Sequence, residues 1–572
     1  MNERRSQTIC LFATVFAFLT LLATPSALPA QEATPTGVTE AMRSPTRDEL
    51  EAQIVEDLGF TEAVTPGGTF LDSSIGDIQS LHPLLVDEFT SVKIANLFFE
   101  SLIGNDIRNG QPAPTGLADS WEIAPDGVTY IFHLNTYATW HDGVDVTAED
   151  VQFSFDAMAD PNMGSAYTGA FLDATESWRV IDDDTFEVVA QEPLATFLFD
   201  LVPVFIIPEH IWRSVSPADW RTDPGATGGD PLRVIGSGPF KFQEWRQGES
   251  VTAVRNDEYH GKVPYLDAYV LRIWPDQTAL VNALLNGEID AAVLEPTDVQ
   301  TVEGTAGLQV ATFPTPNFTF YLTNLDPQKS TLFLDKRVRQ ALLSALDRES
   351  IVRDVLLGQG QVAQGTQPVI SYAYAPDQLT TTYDFDPAHA KELLSEAGWS
   401  DTNGDGIVDK SGQPFSFEMI FRSGSPVDEQ LVAYMQDAWQ DVGIEVTPRA
   451  LEFPALVETI SEDHNFDVAL ISFSWDASFT QDSMFACDQY AGGFNVVKYC
   501  NEHVDAIFDE AKRTLDLETR RRLLIQATNL INDDLPVAVL FFGTTSVGYS
   551  DRVQNFKPSA WGMDPRYIWL QP

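Results

Sequence analysis

Basic residues are scarce in this chain of 572 residues, where 34 Lys and Arg stand against 84 Asp and Glu and give a net charge of −50. A nucleic-acid-binding protein needs a cationic face toward the phosphates, so this composition excludes that class. Adhesion to anionic lipid is disfavoured for the same reason. The acidic surplus instead indicates a solubilising surface, typical of a protein in a saline or extracellular setting.

The chain also lacks an uninterrupted apolar run of about 20 residues, the length that a membrane-spanning helix needs. A shorter apolar run covers residues 9–23, follows Arg4 and Arg5, and precedes a small-residue segment. This order is typical of a secretory signal peptide. We expect cleavage after Ala30, or alternatively after Ala27, and an exported protein at the periplasmic or extracellular face of the cell membrane.

Cysteine is rare, and one of the three cysteines, Cys10, lies inside the predicted signal peptide. Only Cys487 and Cys500 remain after cleavage. Two cysteines this close in an exported chain favour a local disulfide. The alternatives are a metal-binding pair or a reactive thiol, and only His503 stands nearby as a further ligand for a metal.

Signatures of catalysis are missing. The chain has no Gly-x-Ser-x-Gly elbow and no His-Glu-x-x-His motif, and its eight histidines are scattered. Carboxylate pairs discriminate nothing where acidic residues are this abundant. An exported hydrolase is therefore disfavoured, and we expect no enzymatic activity.

One loop carries a cation-binding pattern. Asp401, Asn403, Asp405 and Asp409 occupy positions 1, 3, 5 and 9 of a calcium loop, although position 12 is Gly412 rather than Glu. A structural Ca²⁺ site with another carboxylate supplied from elsewhere is one interpretation. An Asx-rich turn between a helix and a strand is the other. No cofactor is required in either case.

Strand-like and helix-like segments alternate along the chain and predict an α/β fold. Residues 31–66 form a predicted linker with one marginal helix at Arg47–Leu58, and the globular body begins at Gly67. Clear elements include a strand over 128–134, a helix after Thr147, and a helix after Asp335. Further helices are predicted from Asp347 to 358 and from Asp386-Pro387 to Gly398.

Many short segments, read in order, resemble the extracellular solute-binding proteins of family 5, the peptide- and nickel-type receptors of ABC importers. The resemblance covers about residues 67–557. The segments are 81–83 (LHP), 97–102 (LFFESL), 116–122 (GLADSWE), 140–143 (WHDG), 147–151 (TAEDV), 236–240 (GSGPF), 255–259 (RNDEY), 286–290 (NGEID), 335–341 (DKRVRQA), 345–349 (ALDRE), 397–399 (AGW) and 534–536 (DLP).

The resemblance implies a two-lobed periplasmic-binding-protein-like fold of type II with an extra subdomain on the first lobe. The first lobe would cover 67–315, with the extra subdomain at about 105–232. The second lobe would cover 316–543, and 544–572 would return to the first. Strands near 312–324 and 540–546 would cross between the lobes, and closure about this hinge would enclose a solute.

The resemblance also implies which residues line the cleft. The first lobe would contribute Asp87, Glu88, Phe89 and Thr90, and the second would contribute Trp475, Asp476 and Ser478. Peptide receptors of this family usually carry an Asp three residues after that Trp, paired with the α-ammonium of the peptide, and here the position is Ser478.

Because Ser478 brings no charge, two interpretations follow. Either Asp476, Asp87 or Glu88 pairs with the ammonium, or the ligand has no ammonium at that point, and the second is favoured slightly. The implied function is a monomeric receptor that captures an oligopeptide or similar small solute and delivers it to a membrane permease. An oligosaccharide or metal chelate is the alternative ligand.

Overall fold

The computed structural model describes residues 42–60, 64–491 and 493–571. The predicted signal peptide and the first part of the predicted linker lie outside these residues. Within the described residues, no helix is both long and apolar enough to cross a membrane.

The fold is mixed α/β, as predicted, with 22 strands and 16 α-helices in the described residues. The strands are β1 (Met42–Arg43), β2 (Thr69–Ser74), β3 (Gly104–Asn105), β4 (Pro112–Ala113), β5 (Ala118–Ile123), β6 (Thr129–Leu134), β7 (Thr175–Asp182), β8 (Thr185–Ala190), β9 (Phe240–Arg246), β10 (Ser250–Arg255), β11 (Ala268–Ile273), β12 (Ala291–Leu294), β13 (Leu308–Thr323), β14 (Gly360–Val362), β15 (Asp409–Lys410), β16 (Gln413–Pro414), β17 (Ser416–Arg422), β18 (Glu445–Leu451), β19 (Val468–Ser474), β20 (Val537–Ser550), β21 (Val553–Gln554) and β22 (Trp569–Leu570).

The helices alternate with these strands. They are α1 (Arg47–Leu58), α2 (Phe89–Phe98), α3 (Ala148–Met158), α4 (Thr168–Ala174), α5 (Phe197–Leu201), α6 (Glu209–Trp212), α7 (Gln277–Leu285), α8 (Pro296–Glu303), α9 (Lys336–Ser344), α10 (Arg348–Ser350), α11 (Pro387–Glu396), α12 (Pro426–Asp441), α13 (Phe453–Val457), α14 (Asp482–Phe485), α15 (Glu502–Arg513) and α16 (Leu517–Asp534).

Local capping explains several of the predicted elements. Thr147 and Asp150 form a reciprocal capping box at the start of α3, and Asp335 caps α9. Asp386 caps α11, which has Pro387 in its first turn. The helix predicted from Asp347 is shorter than expected, because α10 passes into a π-helical segment, Ile351–Val355.

The first lobe contains two sheets that share one core. Its four-stranded sheet has the order β2-β11-β10-β9, and its five-stranded sheet has the order β1-β5-β6-β8-β7. The five-stranded sheet lies in the region for which we expect the extra subdomain, except for β1. Aromatic and aliphatic side chains from both sheets, such as Phe70, Phe132 and Tyr269, belong to a single buried cluster.

The second lobe is built on part of a seven-stranded sheet. Its order is β12-β20-β13-β19-β17-β18, with β14 paired to another part of β20. Two buried clusters include side chains of its central strands: Tyr321 and Leu540 belong to one, and Phe320 and Val539 to the other. Alternate residues of a strand point to opposite faces, so the clusters cover the two sides of this sheet.

Strands β13 and β20 are the long antiparallel pair that joins the lobes. Their pairing shifts register between Pro314 and Phe318. Pro314 and Pro316 cannot donate a backbone hydrogen bond to the ladder, so the pairing is interrupted at this point. The side-chain hydroxyl of Thr315 donates to the carbonyl of Gly543 at 3.1 Å within the interruption.

The segment predicted as a linker is part of the first lobe where the structure describes it. Strand β1 pairs with β5, and α1 buries Leu50 and Ile54 beside Tyr567. Arg47, at the start of α1, is also buried, and its Nε lies 3.0 Å from a carboxylate oxygen of Asp119. The expectation of a linker was wrong here, because the segment packs on the first lobe. The local sequence did not reveal this packing, since these partners lie far away along the chain.

The loop with the calcium-like pattern uses its carboxylates within the loop. Asp401 accepts hydrogen bonds from the amides of Gly404 and Gly406, at 2.6 and 3.0 Å. Asp409 is buried and accepts from the amide and hydroxyl of Thr402. Asn403 accepts from the amide of Asp405 at 2.8 Å. These bonds favour the Asx-rich turn, and a Ca²⁺ site here stays a prediction.

The structure joins Cys487 and Cys500 in a disulfide that closes a short loop of the second lobe. Replacing both cysteines by serine should lower the free energy of unfolding by roughly 2–3 kcal/mol, because the cross-link restricts the unfolded chain. Denaturant titration measures this difference. Thiol titration of the denatured, unreduced exported protein should find no free thiol, and two free thiols would contradict the pairing.

Millimolar CaCl₂ should leave the melting temperature unchanged relative to an EDTA-treated sample. The reason is that the carboxylates of the 401–409 loop already accept hydrogen bonds from backbone amides. Thermal melts of the wild type and of Asp401→Asn provide the comparison. A calcium-dependent rise that Asp401→Asn abolishes would establish the cation site instead.

Candidate functional site

Of the residues predicted to line the cleft, those from the first lobe lie at the start of α2. The carboxylate of Glu88 caps this helix and accepts a hydrogen bond from the amide of Thr90 at 2.7 Å. The hydroxyl of Thr90 lies 3.4 Å from that of Ser74. Asp87 is exposed. Burial, and in second place the charge of Asp87, raises the pKa of Tyr167. Glu88 therefore has a structural role as a helix cap.

Phe89 lies on the surface of the first lobe. It is 76% exposed at the first position of α2. The cap at Glu88 sets the direction of the helix, and Phe89 then lies on its solvent side. Its exposed ring is accessible to a solute, and the expectation that Phe89 lines the cleft stays a prediction.

Trp475 belongs to the core of the second lobe. It is 5% exposed, and its ring stacks on Phe318 with the centroids 4.8 Å apart. Its indole N–H donates to the carbonyl of Thr366 at 3.0 Å. Trp475 thus packs in the core, and its contribution to the lining of the cleft stays a prediction.

The residues after Trp475 form a tight polar turn. The amide of Ser478 donates to Oδ1 of Asp476 at 2.8 Å, and the hydroxyl of Ser478 donates to the same oxygen. Ser478 is buried, whereas Asp476 is exposed. The serine therefore holds a carboxylate that remains accessible.

Ala477 and Phe479 bring this turn against the first lobe. The side-chain amide of Gln111 donates to the carbonyl of Ala477 at 3.2 Å. The ring of Phe479 meets Trp561 edge to face, with the centroids 5.9 Å apart. Trp561 packs closely on Gly110, where an added Cβ would lie 2.5 Å from the indole. The lobes are thus in direct contact beside Asp476.

A second carboxylate, that of Asp200, lies close enough for the charge of Asp476 to act on it. Asp200 lies in α5 of the first lobe and is half-buried. Burial, and in second place the charge of Asp476, raises the pKa of Asp200 to about 6. Burial and the charge of Asp476 both disfavour the ionisation of Asp200, and a cation near these two carboxylates would be attracted by both.

Tyr372 and Arg520 complete this region. Burial raises the pKa of Tyr372. The Arg520 guanidinium acts in the opposite direction, and the charge of Asp476 adds to the rise. The guanidinium of Arg520 lies 5.3 Å from the centre of the Tyr372 ring. The sequence carried no signal for Asp200, Tyr372 or Arg520, because their relation to Asp476 exists only in the folded chain.

The predicted metal ligands do not assemble into a cluster of carboxylates. Among the described histidine, cysteine, aspartate and glutamate side chains, the group with three ligand atoms close together is Cys487, Cys500 and Asp505. The two sulfurs of that group are bonded to each other, so they are not free thiolates for a metal.

Comparison with known proteins identifies the family. Bacterial extracellular solute-binding proteins, family 5 Middle, match residues 114–495. The oligopeptide-binding protein AppA of Bacillus subtilis is 31% identical over 86% of this chain and 89% of its own length.

Solved structures agree with this assignment. The structure of AppA from Bacillus subtilis in complex with a nonapeptide is similar with a TM-score of 0.66 and 29% identity, over 89% of this chain and all of that one. NikZ from Campylobacter jejuni in complex with Ni(L-His) is similar with a TM-score of 0.65 and 25% identity, over 88% of this chain and 99% of that one. The predicted two-lobed fold is confirmed, and the chain belongs to the bacterial extracellular solute-binding proteins of family 5.

Proposed function

We propose that this solute-binding protein captures oligopeptides between its lobes and delivers them to the permease of an ABC importer, without catalysing a reaction. The names of its relatives support peptides as the solute class, since AppA is an oligopeptide-binding protein with a nonapeptide-bound structure. The observation that carries the proposal within this chain is the accessible carboxylate of Asp476 beside the contact between the lobes.

Asp476 takes the role of ammonium partner that the family places two residues later. Ser478 donates two hydrogen bonds to one oxygen of Asp476 and so fixes its orientation, while the other oxygen is not used in these bonds. The departure at Ser478 therefore moves the negative charge rather than removing it. A ligand with a free ammonium group is therefore favoured here, in place of the ligand without an ammonium that the sequence alone favours.

Asp200 supplies a second negative charge from the opposite lobe. An ammonium group between two carboxylates gains attraction from both and also relieves their mutual repulsion. Closure of the lobes on a peptide with a free amino terminus would therefore be favoured over closure on a neutral ligand.

A metal chelate is the second candidate ligand, because NikZ is described in complex with Ni(L-His). A cationic chelate could also be attracted by Asp200 and Asp476. Mass spectrometry of the solute that co-purifies with the native protein distinguishes a peptide from a chelate or an oligosaccharide.

Short peptides with a free amino terminus should bind more tightly than their N-acetylated forms. Asp476→Asn should weaken binding of the free-amine peptides by about a hundredfold, because an ammonium left unpaired away from water is strongly unfavourable. Isothermal titration calorimetry measures both effects. Asp441→Asn, at the exposed end of α12, is the matched control and should bind as the wild type does.

Equal affinity for free and acetylated peptides would overturn the role of Asp476. Failure of every peptide to bind, with a chelate or sugar found in the native protein, would overturn the peptide proposal itself. A turnover assay with the same peptides should detect no cleavage.

Affinity for free-amine peptides should fall as the pH is lowered through about 6, where Asp200 of the ligand-free protein becomes protonated. The sign follows from the raised pKa: the neutral acid dominates below it and attracts an ammonium less. Without ligand, lowering the pH should instead stabilise the contact between the lobes. The reason is that protonation of Asp200 removes a buried charge and its repulsion with Asp476.

Calorimetry between pH 5 and 7.5 measures this dependence, and Asp200→Asn should flatten it. N-acetylated peptides, which lack the ammonium, should not show the loss of affinity at low pH. The same pH profile in the wild type and in Asp200→Asn would contradict the assignment.

A further inference from the structure

The two lobes make a second contact outside the turn at Asp476, in which Arg520 from the region around that turn also takes part. On the side of the second lobe it is formed by the junction of α15 and α16, and on the side of the first lobe by the segment that joins β8 to α5. Leu515 of the junction packs against the core of the first lobe, beside the turn at Gly127.

Both backbone polar groups of Ala195, in the first lobe, form hydrogen bonds with the second lobe. The amide of Ala195 donates to the carbonyl of Lys512 at 2.7 Å. Its carbonyl accepts a hydrogen bond from Nη1 of Arg520 at 2.8 Å. One residue therefore uses both its donor and its acceptor across the boundary between the lobes.

Arg520 lies buried in this contact rather than on the protein surface. It is 6% exposed, its guanidinium lies over the ring of Tyr372, and burial in this position removes most of its access to water. A hydrogen bond from a charged donor in such surroundings is stronger than one between neutral groups. When the lobes separate, the guanidinium loses the carbonyl of Ala195.

The neighbouring Arg521 differs in one decisive respect. Its Nε donates to the carbonyl of Tyr372 at 2.9 Å, and both residues belong to the second lobe. The pair Arg520 and Arg521 thus offers one arginine that bridges the lobes and one that does not, on the same helix.

We propose that Ala195, Lys512, Leu515 and Arg520 form a closure latch that sets the balance between the open and the closed arrangement of the lobes. The latch rests on the two-lobed receptor function but not on the class of ligand. Its bonds exist only when the lobes are in contact, so they stabilise that state and no other. Apparent affinity depends on the fraction of protein in the binding-competent state, so the latch controls affinity without touching the solute.

The latch can be tested without any ligand. Hydrogen exchange on the full exported protein should show a protected amide at Ala195 in the wild type. Arg520→Met, which keeps an apolar stem on Tyr372 but cannot donate, should speed this exchange by about tenfold. Arg521→Met should leave it unchanged. Fast exchange in the wild type, or equal protection in all three proteins, would overturn the proposal.

Leu515→Ser provides a second variant, because it removes the apolar contact and leaves both hydrogen-bonding groups in place. It should speed exchange at Ala195 in the same direction, with a melting temperature that shows the protein is folded. Unchanged exchange at Ala195 in folded Leu515→Ser would contradict the latch, and so would unchanged exchange in folded Arg520→Met.

Binding of free-amine and N-acetylated peptides separates the latch from the ammonium site. Arg520→Met should weaken both kinds of peptide by the same factor, about tenfold, mainly through faster dissociation. Asp476→Asn should weaken only the free-amine form. A selective loss in Arg520→Met would show that Arg520 acts on the ligand rather than on closure, and would overturn the latch. If no peptide binds, the peptide proposal fails while the exchange experiment still decides the latch.

Discussion

Strands β13 and β20 pair along most of their length, and the two lobes are organised around this antiparallel ladder. One half of the pair joins β12 near the first lobe, and the other half joins β19 in the core of the second. The ladder is interrupted at Pro314 and Pro316, where the missing amide hydrogens prevent regular pairing. A connection that is continuous on both sides and interrupted between them is suited to bending there.

Contacts between the lobes combine hydrogen bonds with the apolar contacts of Phe479 with Trp561 and of Leu515 with the first-lobe core. Gln111 and Arg520 donate to carbonyl groups of the opposite lobe, at Ala477 and Ala195. Such groups find water as an alternative partner when the lobes separate, so each contact has a modest net free energy. The cores, by contrast, bury large aromatic side chains whose exposure would be far more unfavourable. Opening therefore leaves both lobes folded.

The acidic character of the chain has a local counterpart at the cleft. The charge of Asp476 acts on Asp200, which belongs to the other lobe, and a cation or a proton would relieve the repulsion between the two carboxylates. Ser478 contributes by holding Asp476 in place through two hydrogen bonds. A serine at the family's aspartate position is thus compatible with recognition of an amino terminus.

The helices α3, α9 and α11 were predictable because their signals are local: capping residues, proline positions and apolar periodicity lie within the elements themselves. The strands expected near 312–324 and 540–546 came from the family resemblance, and β13 and β20 cover these regions. The order of the short motifs also identified the family and its two-lobed fold. The packing of α1 and the burial of Trp475 were not predictable, because α1 packs beside Tyr567 and Trp475 packs on Phe318 and Thr366. Neither was the effect of Asp476 on Asp200, since the two residues lie in different lobes. Partners this far apart along the chain leave no mark in the local sequence.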